Sequence, residues 1–421
     1  MPNKDLARRA VITGLGAVTP IGNTAPAFWQ NLVAGTSGVG PITQFDPAGM
    51  DVRICAEVKD FDPTVGMDRK MARRMSRFVQ MAMAAATEAV ADANLDFSTW
   101  TPEQRDRVAV IVNTGGGGLE MVVEGNKVLA EKGPGQVSPF AIPALSGSMA
   151  GCQVSIKYGL TGPVITQVAA CASSVMAFID GQRLIETGEI DLALIGGSEA
   201  ALLPIAFAAL GNMGALSRRN DDPEHASRPF DRDRDGFVFG EGAAVVVLES
   251  AEHALARGAR IQCEVLGGGL TADAFHISAP EPNGRGAAGA MTKALRNSGV
   301  APDEVDYIVA HGTSTPLNDV TETRAIKAAF GDHARKVVIS SPKSMVGHLL
   351  GAAGVISALA AIGAIREGVV PPTTNLQNPD DECDLDYVPN VKRIARVDTA
   401  IINGFGFGGQ NAVAVLRRFT A

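Results

Sequence analysis

Short β-branched and aliphatic runs, each stopped by Gly, Asn or Ser, recur along the chain: "RAVITGLG", "RVAVIVNTGGG", "DLALIGGSEA", "AAVVVLES", "VDYIVAHGTS", "KVVISSPKS" and "TAIINGFGFGG". Runs of this length and composition predict buried strands. Between many of them the apolar positions shift to helical spacing, as in "RFVQMAMAAATEAVADANL" and "GAAGAMTKALRNSGV". The alternation predicts an α/β protein with mostly parallel sheet under covering helices.

Two stretches repeat one pattern. "VITQVAACASSVMAFIDGQRLIETGEIDLALIGG" and "VVISSPKSMVGHLLGAAGVISALAAIGAIREGVVPP" each read as strand, loop and a long helix of small apolar residues. A helix without a charged face belongs inside the protein on all sides. Two such helices predict two related halves sharing one core, 1–258 and 259–421, meeting near "LARGARIQ".

Composition narrows the function classes. The 421 residues are 46% apolar, 19% charged and 5% aromatic, with 47 glycines, which predicts close backbone packing and little disorder. The net charge of −8 and the lack of a basic run argue against a broad nucleic-acid surface. No apolar signal region precedes the first strand and no uncharged apolar stretch is long enough to span a bilayer, so the expectation is a cytoplasmic protein without a membrane partner. Cys55, Cys152, Cys171, Cys263 and Cys383 form neither a CxxC pair nor a Cys/His ligand pattern, so neither a disulfide framework nor a zinc site is favoured.

Cys171 stands where a strand gives way to the first buried helix, "QVAACASSVMAF". A sulfur there lies near unpaired N–H groups that favour thiolate and can hold an oxyanion. Read alone, it is first a packed core cysteine, and only its companions elsewhere in the chain change that. His311 ends the apolar run of "VDYIVAHGTSTPLND", and Lys343 and His348 precede the second buried helix in "SSPKSMVGHLLGAAG", the position equivalent to Cys171 in the other half. If the halves face each other, one thiol and two imidazoles converge.

With "AVITGLGAVTPIG", "SRPFDRDRDGFVFGEGA", "AHGTSTPLND", "KSMVGHLLGAAG" and "NGFGFGGQN" in this order, nearly the whole chain resembles the β-ketoacyl-[acyl carrier protein] synthases of fatty-acid elongation, most closely the synthase II type. The resemblance implies a thiolase-like fold, two pseudo-repeated βαβαβαββ halves forming a five-layered αβαβα core. It implies that Cys171 accepts the acyl group, and that His311 and His348 serve decarboxylation of malonyl carrier through their ring N–H groups. Lys343 and Glu322 match residues that organise the site, the glutamate as charge partner of the lysine. Phe407 matches the residue whose N–H pairs with that of Cys171 as oxyanion hole and whose ring gates the acyl tunnel, with Phe405 beside it. Thr313 and Thr315, with Ser278, match the pantetheine-binding positions. Lys70, Arg73 and Arg74, gathered with Arg77 at helical spacing, match residues that meet an acidic acyl carrier protein. No metal or organic cofactor is implied, since phosphopantetheine arrives on the carrier, and family members are homodimers.

Departures from the pattern fall around the acyl pocket. Gly116 stands for a bulky aliphatic and Ala141, after Phe140, for a second Phe, so a roomier pocket is expected. Gly214 replaces a carrier-binding Arg, and Gln410 replaces the Thr of "GFGGTN". A ketosynthase of a dedicated polyketide or unusual-lipid pathway is the alternative. A dinucleotide-binding protein is remote: "GRGAAG" follows a Pro-rich loop, and "GFGFGG" leaves too little chain for a βαβ unit.

Overall fold

The structure, a computed structural model, describes residues 6–420. One ten-stranded sheet runs through it. Its strands are β1 (Ala10–Val18), β2 (Val108–Asn113), β3 (Val164–Ile165), β4 (Leu192–Glu199), β5 (Gly242–Ser250), β6 (Cys263–Ala272), β7 (Tyr307–Val309), β8 (Val338–Ser340), β9 (Thr399–Gly406) and β10 (Gln410–Arg417). Their spatial order is β3-β2-β4-β5-β1-β6-β10-β9-β7-β8. Read outward from the β1/β6 contact, each side repeats the other.

The pairing departs from the sequence expectation of mostly parallel sheet. Parallel pairs occupy only the two flanks, where β2 joins β3 and β4, and β7 joins β8 and β9. The middle is antiparallel, from β4–β5 through β5–β1, β1–β6 and β6–β10 to β10–β9. Crossover helices join the parallel strands of the flanks, and the alternation signal registers those βα units alone.

Six helices set the layers: α1 (Arg77–Asp92), α2 (Met149–Tyr158), α3 (Ser173–Glu186), α4 (Arg285–Ser298), α5 (Pro316–Phe330) and α6 (Ala353–Glu367). Helix α1 covers β1 and β5 from outside, and α4 covers β6 and β10 with α5 beside it. Between the two half-sheets lie α3 and α6. Every residue from Ala353 to Ile365 is buried. The apolar core divides accordingly into a central cluster around α3 and α6 and one outer cluster per half. This is the five-layered thiolase-like arrangement. Among the described residues, Leu350–Glu367 alone is long and apolar enough to cross a membrane, yet 83% of it is buried inside the protein.

Small residues let the central helices touch. A Cβ added at Gly354 of α6 would lie 2.5 Å from Val175 Cγ2 and 2.7 Å from its backbone nitrogen on α3. The backbone nitrogen cannot rotate away, so the helices would have to separate. The Val355 N–H donates to Ser174 Oγ across the same crossing, at 3.0 Å. Gly354→Ala is therefore expected to cost about 1–3 kcal/mol, read as a lowered denaturation midpoint. An unchanged midpoint would mean that the crossing is not close-packed.

Candidate active site

Cys171 sits in the 3-10 turn Ala170–Ala172, which runs directly into α3. Ala170 before it has φ 47°, a left-handed conformation that a non-glycine residue keeps only where its surroundings enforce it. The sulfur is thereby brought to the foot of a buried helix, 4% exposed. His311 follows β7, and Glu322 of α5 ties down its loop. That carboxylate accepts from the backbone N–H of His311 at 2.8 Å, from that of Gly312 at 2.7 Å and from Asn403 Nδ2 at 2.9 Å. His348 donates its backbone N–H to the Val238 carbonyl at 2.7 Å and stands edge-on to the Phe237 ring. The fold brings the three together. His348 Nε2 lies 3.0 Å from Cys171 Sγ, and the two imidazole centroids are 5.4 Å apart.

Burial dominates the electrostatics. It pushes the Cys171 thiol up to about 12, while the Lys343 charge and the backbone N–H groups of Phe407 and Cys171 pull it down, and Glu199 pushes it up. The same two N–H groups that reach the sulfur could hold a thioester oxygen. Burial, with the charge of Lys343, holds both imidazoles well below their ordinary value, so they are neutral near pH 7. Lys343 is lowered to about 8 by burial, against the opposing fields of Glu322, Cys171 and Asp319.

Thr313, Thr315, Ser278, Phe405 and Phe407 line a cavity of about 310 Å³ together with Cys171, His311, His348 and Glu322. The Thr313 and Thr315 hydroxyls are 3.0 Å apart, and Thr315 also caps α5. Phe405 packs against His311 at 5.6 Å. Lys343 is buried and does not line the cavity. It makes no ion pair with Glu322, whose oxygens are taken by the His311 loop and Asn403; the two act on each other only through the field.

Two sequence expectations change. Gly116, Phe140 and Ala141 do not line the cavity. Gly116 donates its N–H to Glu199, and Phe140 lies under the Arg74 guanidinium at 4.5 Å. The basic run is also not one helix face, since Arg69–Ala72 ends and α1 begins only at Arg77. Lys70 and Arg73 are exposed and Arg74 half-buried, but Arg77 turns inward to the fully buried Glu241 at 2.7 Å. Gly214 lines the cavity with φ 70°, a backbone that an arginine there would have to strain to adopt.

Sequence reasoning missed Glu199, which ends β4. Fully buried, it accepts from the N–H groups of Gly115 at 2.8 Å, Gly116 at 3.1 Å and Gly351 at 3.0 Å. Burial raises its carboxyl to about 7 while these donors pull it down. It clamps the glycine loop after β2 to the turn that follows His348. The available signal was an acid closing a strand that is otherwise apolar up to its last two residues, "LALIGGSE".

Two related half-sheets around a shared pair of helices, with Cys171 at the foot of one, define the thiolase-like class. Residues 7–254 match the β-ketoacyl synthase N-terminal domain, and residues 262–377 match its C-terminal domain. The chain belongs to the β-ketoacyl synthase family. It is 50% identical over 412 residues to a 3-oxoacyl-[acyl-carrier-protein] synthase 2 of Synechocystis sp., covering 98% of each chain. It is 47% identical to the protein of that name from Coxiella burnetii, covering 98% of this chain and 99% of that one. Among solved structures, the ishigamide ketosynthase/chain length factor superposes with TM-score 0.91 at 37% identity, covering 98% of this chain and all of that one. A type II polyketide ketosynthase bound to its acyl-carrier protein and the hexaketide superposes with TM-score 0.90 at 33% identity over 98% of this chain and all of that one.

Lys343→Met removes a charge that the folded protein must keep buried at pH 7. Its folded value of about 8 lies below the unfolded value of about 10.4, so the unfolded chain binds more protons between the two and wild-type stability rises with pH there. The variant is expected to be the more stable protein at pH 7, with the gap closing across that window. Denaturation midpoints measured through the window check this, and a gap that stays constant would rule it out.

Proposed function

We propose that the protein is a β-ketoacyl-[acyl carrier protein] synthase of fatty-acid elongation, a transferase that lengthens a Cys171-bound acyl group by decarboxylative condensation with malonyl carrier. The observation that carries this is the 3.0 Å contact between Cys171 Sγ and a neutral His348, with His311 beside them, at a cavity lined by hydroxyls and glycine-rich backbone. An acyl carrier presents its pantetheine thioester along Thr313, Thr315 and Ser278. Cys171 attacks the carbonyl, whose oxygen rests on the N–H groups of Cys171 and Phe407. The thiol proton passes by way of His348 to the departing pantetheine sulfur. Malonyl carrier then enters and loses carbon dioxide, and the enolate oxygen takes hydrogen bonds from His311 and His348. The carbanion attacks the acyl-Cys171 carbonyl, the Cys171–acyl bond breaks, and the product leaves two carbons longer in a ping-pong cycle. Glu322 and Lys343 act as positioning groups, the first by fixing the His311 loop.

Similarity of 45–50% to elongating synthases, against 33–37% to the polyketide ketosynthases, favours primary fatty-acid synthesis over a specialised pathway. We assign the carrier contact to Lys70, Arg73 and Arg74, an exposed basic patch on an acidic protein. No resident cofactor is required, and the chemistry fits a cytoplasmic enzyme. Homodimerisation is supported by a face with little cover. Helix 119–132 has no buried residue, and Val123, Leu129, Ile142, Ile156 and Val168 stand exposed from it to the end of the edge strand β3.

Intact-mass analysis after incubation with acyl carrier, then malonyl carrier, tests the chemistry. Wild type is expected to gain one acyl group and release it as product, and Cys171→Ala to gain none. His311→Ala is expected to acylate but to condense on the order of 10²–10³-fold more slowly, and His348→Ala to be slowed in both acylation and condensation. A folded wild type that never acylates would overturn the reading. The paired change Ile142→Asp and Ile156→Asp is expected to halve the native mass, and wild type measured as a monomer would remove the dimer.

A further inference from the structure

Along the chain no cysteine or histidine pair stands at metal-ligand spacing, yet folding assembles one. One donor atom from each of Cys171, His311 and His348 lies within 4.8 Å of the others, and all three side chains are buried. We propose that this trio is also a binding site for a borderline-soft divalent cation, Zn²⁺ foremost, and that the bound ion is a reversible brake on acylation. The proposal rests on the acyl-transfer reading for its consequence but not for the binding itself.

The donor set is one thiolate and two neutral imidazoles, the softness that selects zinc over magnesium or calcium. It supplies three protein ligands, and the cavity beside it leaves room for a water as the fourth. Zinc–sulfur and zinc–nitrogen bonds of about 2.3 and 2.0–2.1 Å put tetrahedral donors roughly 3.3–3.6 Å apart. The Sγ to His348 Nε2 distance of 3.0 Å must open slightly and the widest separation in the trio, within 4.8 Å, must close. Neither imidazole has its Nδ1 held by a protein partner, so neither tautomer is fixed from behind. The same ring can turn an N–H toward an enolate or a lone pair toward a metal.

Charge also favours a dication. With the sulfur ionised, its charge stands beside Lys343 and within the field of Glu199, so a dication bound to the sulfur meets a negative neighbour on either side of that one cation. Binding is a simple exchange: the thiol proton leaves to solvent through the cavity, a metal–sulfur bond and two metal–nitrogen bonds form, and no electron is transferred. Metal and acyl group then exclude one another, because both need the same sulfur.

The test titrates the full-length protein with Zn²⁺ against a chromophoric chelator, without carrier or acyl substrate. Wild type is expected to take one ion per chain. Cys171→Ser, His348→Ala and protein alkylated at Cys171 by iodoacetamide are each expected to bind on the order of 100-fold more weakly. Co²⁺ in wild type is expected to give a sulfur-to-metal charge-transfer band that alkylation removes. Acyl-adduct formation should stop with Zn²⁺ and return with EDTA. Binding to alkylated protein as tight as to wild type, or cobalt without the sulfur band, would overturn the site. Because binding is read without substrate, failure here leaves the condensation reading intact, and failure of acylation in metal-free protein would sink that reading alone.

Discussion

The close crossing of α3 and α6 is the constraint on which the rest depends. Both helices are enclosed by sheet on two sides, and their contact tolerates no side chain at Gly354. Their N-terminal turns therefore meet in the middle of the molecule. Cys171 occupies one turn and Gly351 the other, with the His348 segment arriving just before it. A thiol that must face an imidazole from a distant part of the chain needs its backbone fixed to a fraction of an ångström. Helices packed without side-chain slack provide that fixity.

The two halves use one device for two ends. Ala170 and Leu350, at corresponding points before the buried helices, both have positive φ, 47° and 39°. Each kink exposes the amide of the next residue at a helix start. In one half that amide belongs to Cys171 and stands with the Phe407 N–H beside the sulfur. In the other it belongs to Gly351 and is occupied by the Glu199 carboxylate at 3.0 Å. An open anion hole and a permanently filled one thus face each other across the pseudo-symmetric core. The filled hole holds the turn after His348, and the open one is left free for the transient charge of the proposed acyl transfer.

Most of the site was legible in the sequence because its residues come directly after strands or before buried helices, where spacing and composition are informative. Cys171, His311 and His348 are of this kind. What was not legible depends on contacts between distant segments. Strand β6 was hidden because Gly267, Gly268 and Gly269 interrupt it; a Cβ at Gly269 would lie 2.1 Å from the Ala290 carbonyl of α4, so the glycines answer to helix packing. Arg77 looked like part of a solvated basic run, but its partner Glu241 lies 164 residues away. Gly116 and Phe140 lie off the cavity for the same kind of reason, since their contacts are with Glu199 and Arg74.

The burial that makes the site also sets its chemistry. A cysteine beside a charged histidine would rest as a thiolate, yet here desolvation keeps the imidazoles neutral and the thiol protonated. On the proposed mechanism the sulfur is thus held in reserve, and its proton moves only when a thioester carbonyl arrives to take the sulfur's electrons. Neutral imidazoles, in turn, are what decarboxylation requires. An imidazolium would pair with the malonyl carboxylate and stabilise the group that must leave, whereas a neutral N–H favours the enolate oxygen that appears only as carbon dioxide departs. Lys343 reinforces this state, because its charge lowers both imidazoles while its own burial keeps that charge close to titration. Desolvation therefore selects the protonation states of the thiol and both imidazoles at once, and a single interior serves both proposed half-reactions without a change of fold.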